Sequence, residues 1–151
     1  MRKTIDNILG HLLVFLMAVM VLNVIWQVAS RYLLNSPSGF TDELAGFLMI
    51  WVGLLGAAYA SGKGLHLAID IIRESKYVNP GKLDVLIHIL IIIFALGVLV
   101  IGGSRLVYLT LDLEQFSANL KLPIGYVYLA LPLSGLLITY YALSNLFNAH
   151  D

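Results

Sequence analysis

Four apolar runs, each long enough to cross a lipid bilayer as a helix, occupy most of this chain. They cover approximately residues 8–31, 42–61, 84–105 and 123–147. A helix needs roughly 20 apolar residues to span the hydrocarbon core of a membrane. Of the 151 residues, 60% are hydrophobic and only 12% are charged, which is too little polar surface for a soluble domain of this size. We predict an all-α integral membrane protein with four transmembrane helices in a single membrane domain, residues 1–151.

The first run follows Arg2 and Lys3, and a basic start before an apolar run also occurs in secretory signal peptides. The apolar core of a signal peptide has about 7–15 residues, whereas this run continues to Ala29. We therefore expect the first helix to stay in the protein as a membrane anchor.

Polar residues recur every four positions on that helix, at Asn23, Gln27 and Arg31, which places them on one face. Hydrogen bonding to a neighbouring helix is the expected role of this face, in preference to a path for a solute or ion. Arg31 lies near the end of the helix, where a cation suits the helix dipole and can reach the lipid headgroups.

Turn-forming residues from Asn35 to Gly39 join the first two spans into an antiparallel hairpin. Thr41 is expected to cap the second helix, with Asp42 and Glu43 in its first turn, where the helix dipole favours negative charge. Two interpretations of Glu43 stay open. Either Glu43 only interacts favourably with the dipole at the start of the helix, or it forms an ion pair. The partner in that pair would be Arg31 across the hairpin or a cation on another subunit.

Two series of small residues at four-residue spacing lie on the second helix. They are Gly53, Ala57 and Ser61, and Gly56, Ala60 and Gly64. This spacing lets a neighbouring helix approach closely, which is how helices associate inside a membrane. The spacing indicates a packing partner, but it does not distinguish a helix of this chain from a helix of another chain.

Residues 65–79 are too charged to span the membrane and too apolar for a simple loop. Apolar residues at helical spacing predict a short interfacial helix in this segment, between the second and third spans. His66 and Asp70 are four residues apart within it. Two candidate ligands are fewer than a closed metal site needs, so we expect a local hydrogen-bonded pair there.

Lysine and arginine are unevenly distributed between the two sides of the membrane. The N-terminus holds two and the connection between the second and third spans holds four, against one and two in the other connections, which accounts for all nine. The richer side of a membrane protein is usually cytoplasmic. We expect both termini and residues 65–79 in the cytoplasm, with Arg31, Glu43 and the connection from Arg105 to Lys121 on the outside.

Several function classes are disfavoured by the composition. The absence of cysteine excludes thiol-disulfide enzymes and thiolate metal sites, and zero net charge without a basic block removes the footprint of nucleic-acid binding. A self-contained four-helix multidrug exporter would need a carboxylate embedded in the membrane, whereas each acidic residue here lies at or beyond the end of a span. The absence of cysteine and of an acidic pair within the membrane also argues against an intramembrane enzyme. The chain looks like a helper of another membrane protein.

A resemblance to a known family rests on five segments in order. They are RYLLN, TDELA, FLMIWVGLLGAA, KGLHLAID and LPIGYVYLALP. Together they resemble the small membrane subunit, or Q-type subunit, of tripartite ATP-independent periplasmic (TRAP) transporters. An aromatic residue, often Trp, precedes an acidic pair in that family, and here Phe40 precedes Asp42 and Glu43.

The resemblance implies a bacterial or archaeal inner-membrane complex that takes up an organic acid such as sialic acid, a C4-dicarboxylate or a sugar acid. It implies three partners for this chain: the lipid bilayer, a large membrane subunit and a periplasmic solute-binding protein. The substrate and sodium sites are then expected on the large subunit. This chain would carry no cofactor and would act as a scaffold.

Overall fold

Helices account for nearly all of the described chain, which in this computed structural model comprises residues 2–33, 38–63 and 80–148. The elements are α1 (Arg2–Leu33), α2 (Gly39–Gly62), α3 (Pro80–Phe94), a π-helical segment (Ala95–Gly102), α4 (Gly103–Asp112), α5 (Ile124–Tyr128) and α6 (Ala130–Asn148). The predicted interfacial helix of residues 65–79, which contains His66 and Asp70, lies outside the described residues. Gly64, the last member of one small-residue series, lies outside them as well.

Four helical stretches are long and apolar enough to cross a membrane. They are Arg2–Leu33, Gly39–Gly62, Val85–Asp112 and Ile124–Leu146. The prediction of a helical membrane protein with four spans is confirmed. The third span consists of α3, the π-helical segment and α4 in direct continuation, and the fourth consists of α5 and α6.

The fourth span has a break at Leu129, between α5 and α6. Pro132 lies three residues further on. Its ring carries no N–H to bond the carbonyl of Tyr128, four residues earlier, so the regular hydrogen-bond ladder cannot run through this point.

The four spans pack in the spatial order first, second, fourth, third. α1 packs on α2, α2 packs on α6, and α6 packs on α3 and the π-helical segment. In the most apolar stretch of the fourth span 39% of the residues are buried, against 11% in the first and third spans. The fourth span is therefore the centre of the fold, and much of the first and third spans is left for lipid or for other chains.

Several glycines lie where neighbouring helices approach closely. A Cβ added at Gly135 would lie 2.7 Å from the Leu99 Cβ, and one added at Gly103 would lie 2.8 Å from the Leu131 Cβ. At Gly62 the added atom would lie 2.7 Å from the ring of Tyr141. The third and fourth spans, and α2 and α6, approach each other only because these positions carry no side chain.

One end of the fold, which we call the terminal end, holds the start of α1, the end of α2 and the end of α6. The guanidinium of Arg2 donates hydrogen bonds to the Gly62 carbonyl at 2.6 Å and to Asn145 Oδ1 at 2.8 Å. The Tyr141 hydroxyl donates to Asp6 Oδ1 at 2.6 Å, and Tyr141 is fully buried. Polar contacts thus join three helices at this end.

Candidate functional site

The opposite end, the connection end, is built on residues 113–123, which link the third and fourth spans. The chain turns back on itself there: the Ser117 N–H donates to the Leu122 carbonyl at 2.9 Å, and the Ile124 N–H donates to the Gln115 carbonyl at 2.9 Å. Glu114 and Lys121 have φ angles of 46° and 52°, in the left-handed region that a tight reversal requires. The connection is a compact hairpin-like cap.

Glu43, in the first turn of α2, holds this cap in place. Its carboxylate accepts three hydrogen bonds from consecutive backbone N–H groups, from Ala118 at 3.0 Å and from Asn119 and Leu120 at 2.9 Å each. Three donors on one carboxylate make a charge-assisted clasp between α2 and the cap.

Gly39 allows the same close approach between α2 and the cap. A Cβ at Gly39 would lie 2.8 Å from Asn119 Oδ1. Glu43 does not form the ion pair with Arg31 that was one of its two interpretations. Both oxygens of its carboxylate accept hydrogen bonds from the cap instead. The sequence pattern near residues 113–123 carries no signal that these amides converge on an acid 75 or more residues earlier.

The polar face of α1 bonds the first turn of α2. Asn23 Nδ2 donates to the Thr41 carbonyl at 2.7 Å, and Gln27 Nε2 donates to Asp42 Oδ1 at 3.0 Å. The expected interhelical hydrogen bonding is confirmed for Asn23 and Gln27. The prediction that Thr41 caps α2 is wrong, because the helix begins at Gly39 and the Thr41 hydroxyl donates back to the Ser38 carbonyl at 2.8 Å.

Arg31 lines a small pocket of about 220 Å³ at the connection end. Gln27, Ser38, Gly39 and Asp42 form the rest of its wall. Arg31 is exposed, and within the described ranges no carboxylate lies within ion-pairing distance of it. The pocket therefore presents one guanidinium, next to a carboxylate already bonded to Gln27, on the surface of the fold.

The small residues of α2 divide between two surroundings. Added Cβ atoms at Gly46, Gly53 and Gly56 would meet nothing within 4 Å in the described part of the chain. Met49 on the same side is 66% exposed, and Ala57 is exposed as well. We call Gly46, Met49, Gly53, Gly56 and Ala57 the open face of α2.

The remaining members of the two series lie elsewhere. Ser61 is buried, and its carbonyl accepts a long hydrogen bond of 3.4 Å from Asn145 Nδ2. Ala60 is half-buried. Among the described residues, the glycines in the closest internal contact belong to neither series; they are at positions 39, 62, 103, 125 and 135. Spacing along one helix does not reveal which of its faces meets the rest of the chain.

Sequence reasoning also missed the polar cluster at the terminal end. Asp6 lies between the Tyr141 hydroxyl and Lys63, whose Nζ is 3.7 Å from Asp6 Oδ2. The position of Asp6 just before a long apolar run was the sequence feature that could have marked it as a candidate. Nothing local to Tyr141 marks it as the partner of Asp6.

The described residues contain no group of three or more His, Asp or Glu side chains that could hold a metal ion. The two ends of the fold therefore offer hydrogen-bonding and charged surfaces, and the open face of α2 offers a surface for close helix packing.

Comparison with known proteins gives one family. Residues 20–150 match the family described as the DctQ component of tripartite ATP-independent periplasmic transporters. The match covers the last part of α1 and all of the other described helices.

Curated relatives have consistent names. The chain is 28% identical over 137 residues, 85% of its own length and 79% of the relative's, to the sialic acid TRAP transporter small permease protein SiaQ of Vibrio cholerae. It is 27% identical over 136 residues, 89% of this chain and 83% of the relative, to a Haemophilus influenzae protein named provisionally as a TRAP transporter small permease protein. It is 26% identical over 101 residues to the C4-dicarboxylate TRAP transporter small permease protein DctQ of Rhodobacter capsulatus, covering 67% of this chain and 44% of that one.

Proposed function

Because this chain belongs to the DctQ-component family of TRAP transporters, and is thus a small permease subunit and not an enzyme, we propose that it acts as the scaffold of a large permease subunit. The complex takes up an organic acid with sodium, and a periplasmic solute-binding protein delivers the acid. The chain needs no cofactor of its own for this role.

The observation that carries the proposal is the open face of α2. Gly46, Gly53 and Gly56 present backbone to the outside over more than two helical turns, while α1 and α6 pack on other sides of the helix. In a membrane, lipid removes the hydrophobic drive for helix association, and small residues provide close backbone approach instead. A helix of the large subunit is the partner that we assign to this face.

The chain also lacks a group with which to transport a charged solute by itself. No aspartate or glutamate lies between Glu43 and Lys63 in the second span, and none lies between residues 85 and 111 or between residues 115 and 150. Transporters that bind ions or substrates within the membrane place such groups near its midplane. Solute and sodium therefore bind on the large subunit in this proposal.

The substrate class follows from the relatives. One relative is named for sialic acid and another for C4-dicarboxylates, and both solutes are organic acids. An organic acid is accordingly the substrate class that we propose.

We place the protein in the inner membrane of a bacterium or archaeon with both termini in the cytoplasm, on the basis of the lysine and arginine distribution. The cap of residues 113–123 and the pocket at Arg31 then face the periplasm, where the binding protein approaches. The exposed side chains of the cap offer the binding protein a surface to contact. The backbone of the cap is held in place by its hydrogen bonds to Glu43.

Transport by reconstituted proteoliposomes tests the scaffold role. The purified subunit alone should move no organic acid under a sodium gradient, and the large subunit should need both this chain and the binding protein for uptake. Export of a cationic dye by the subunit alone would contradict the proposal. So would full uptake by the large subunit without this chain.

Co-purification tests the open face. Gly53→Leu and Gly56→Leu should reduce recovery of the large subunit about tenfold or more. The subunit itself should unfold at its usual temperature, since the new Cβ at either position has open space around it among the described residues. Gly97→Leu is the matched control, because Gly97 is also a span glycine with open space around its Cβ position. Equal recovery of the large subunit with all three variants would remove the open face from the interface.

A further inference from the structure

A groove of about 690 Å³ runs along the surface of α1 beside the terminal end of α2. Its lining residues come from successive turns of α1 and from one tyrosine of α2. They are Asp6, Asn7, Gly10, His11, Leu13, Val14, Met17 and Tyr59. The fourth span does not cover it, because the spans pack in the order first, second, fourth, third.

The polarity of the groove changes along its length. Its polar residues, Asp6, Asn7 and His11, lie at the terminal end, whereas Leu13, Val14 and Met17 line the part further into the span. From Asp6 to Met17, eleven residues further along, the helix rises about 17 Å. That length is close to half of the roughly 30 Å hydrocarbon core, so the groove matches one leaflet of a bilayer.

The polar part of the groove is rich in hydrogen-bond acceptors. Asp6 Oδ1 accepts from Tyr141, and Oδ2 lies 3.7 Å from the Lys63 Nζ, so the carboxylate is held in position while its side chain is still 15% exposed. His11 Nδ1 donates to the Asn7 carbonyl at 2.6 Å. In the neutral ring this leaves His11 Nε2 as an exposed acceptor.

A cation borders the same part of the groove. Lys63 Nζ lies 5.4 Å from the centre of the Tyr59 ring, and its side chain is 44% exposed. The arrangement thus has an acceptor set at Asp6 and His11 and one ammonium at Lys63, all at the depth of the headgroups.

We propose that this groove binds one phospholipid with a primary-amine headgroup, such as phosphatidylethanolamine, in the leaflet at the terminal end. The lipid ammonium donates hydrogen bonds to Asp6 and His11, its phosphate lies beside Lys63, and one acyl chain lies along Leu13, Val14 and Met17. Charge complementarity selects this occupant. A choline headgroup has no N–H to donate, and phosphatidylglycerol has no cation to oppose the Asp6 carboxylate.

Gly10 keeps the groove open. A Cβ at this position would lie 3.7–3.9 Å from the Tyr59 ring, which is ordinary contact, so a small side chain fits but a branched one projects into the lipid's space. Val14, 69% exposed, offers a second place to fill the groove without touching the core.

Native mass spectrometry of the purified full chain, equilibrated with equal amounts of phosphatidylethanolamine, phosphatidylcholine and phosphatidylglycerol, tests the proposal. We expect one phosphatidylethanolamine per subunit, retained about tenfold over the other two. Gly10→Leu and Val14→Trp should each abolish that retention, and Gly97→Leu, an open glycine on the third span, should leave it unchanged.

Asp6→Asn separates recognition of the headgroup from simple occupation of the groove. The asparagine carbonyl can still accept the Tyr141 hydrogen bond, so the fold is kept while the negative charge is lost. The variant should bind the ethanolamine and choline lipids equally. Equal retention of all three lipids by the original chain, or ethanolamine retention that persists in both groove-filling variants, would overturn the proposal. Cross-linking of position 14 to the large subunit in the assembled complex would also overturn it, since a protein would then cover the groove.

Discussion

Glu43 Oε2 accepts a 2.9 Å hydrogen bond from the backbone N–H of Asn119, a residue 76 positions further along the chain. Two neighbouring amides, those of Ala118 and Leu120, bond the same carboxylate. The start of the second span therefore holds the connection between the third and fourth spans. The hydrogen bonds of Glu43 thus link spans two, three and four at the connection end.

Replacing Glu43 tests this link. Glu43→Ala should lower the unfolding temperature and speed hydrogen exchange at the amides of residues 118–120, because three donors lose their acceptor. Glu43→Gln keeps one carbonyl oxygen, so its unfolding temperature and exchange rates should lie between those of the original chain and those of Glu43→Ala. Asp42→Ala is the control, as Asp42 bonds only the Gln27 side chain among the described contacts. Unchanged exchange at residues 118–120 in Glu43→Ala would contradict the clasp.

Glycines in close contact should respond differently from glycines on the open face. Gly135→Ala places a Cβ 2.7 Å from the Leu99 Cβ and should destabilise the fold by about 1–3 kcal/mol, as overpacking does. The Cβ of Gly53→Ala meets nothing within 4 Å among residues 2–33, 38–63 and 80–148, so this change should be neutral or stabilising by up to about 1 kcal/mol. Unfolding of the isolated subunit in detergent measures both. Equal destabilisation by the two changes would show that the open face is internal.

The buried hydroxyl of Tyr141 gives a third prediction. Tyr141→Phe removes the 2.6 Å hydrogen bond to Asp6 and should cost about 1 kcal/mol of unfolding free energy. Combining it with Asp6→Ala should cost less than the sum of the single changes, with a coupling of about 0.5 kcal/mol or more. Additive costs in this double-mutant cycle would mean that the two side chains do not stabilise each other.

Arg31 should affect assembly more than stability. Arg31→Gln is expected to change the unfolding free energy by no more than about 0.5 kcal/mol, because the described part of the chain offers this guanidinium no ion pair. Recovery of the assembled transporter from membranes should fall if a carboxylate of a partner enters the pocket at Arg31. A large loss of stability in the isolated subunit would instead assign Arg31 an internal role.

Topology can be checked with reporter fusions. Reporters placed after Ser38 and Asn119 should be periplasmic, and those placed after Lys76 and Asp151 should be cytoplasmic, since the N-terminus and the connection between the second and third spans hold six of the nine lysines and arginines. A periplasmic reporter after Asp151 would reverse the proposed orientation of the whole chain.

Much of the architecture was accessible from the sequence because it depends on local properties. The four apolar runs predicted four spans, and the polar residues at Asn23 and Gln27 predicted a bonded face on the first helix. Length, apolar content and helical spacing each act within one segment, so no knowledge of the neighbours was needed. The order and spacing of five short motifs indicated the family that the comparison then gave.

The tertiary structure alone decided which residues meet. It placed Gly62, Gly103 and Gly135 at internal contacts and left Gly53 and Gly56 facing outward, although all five are glycines in apolar helices. It gave Glu43 the amides of residues 118–120 and gave Asp6 the hydroxyl of Tyr141. The physical reason is that lipid is as apolar as the side chains, so a helix face that packs on protein and a face that contacts lipid have similar composition. Only the three-dimensional arrangement of the spans distinguishes them.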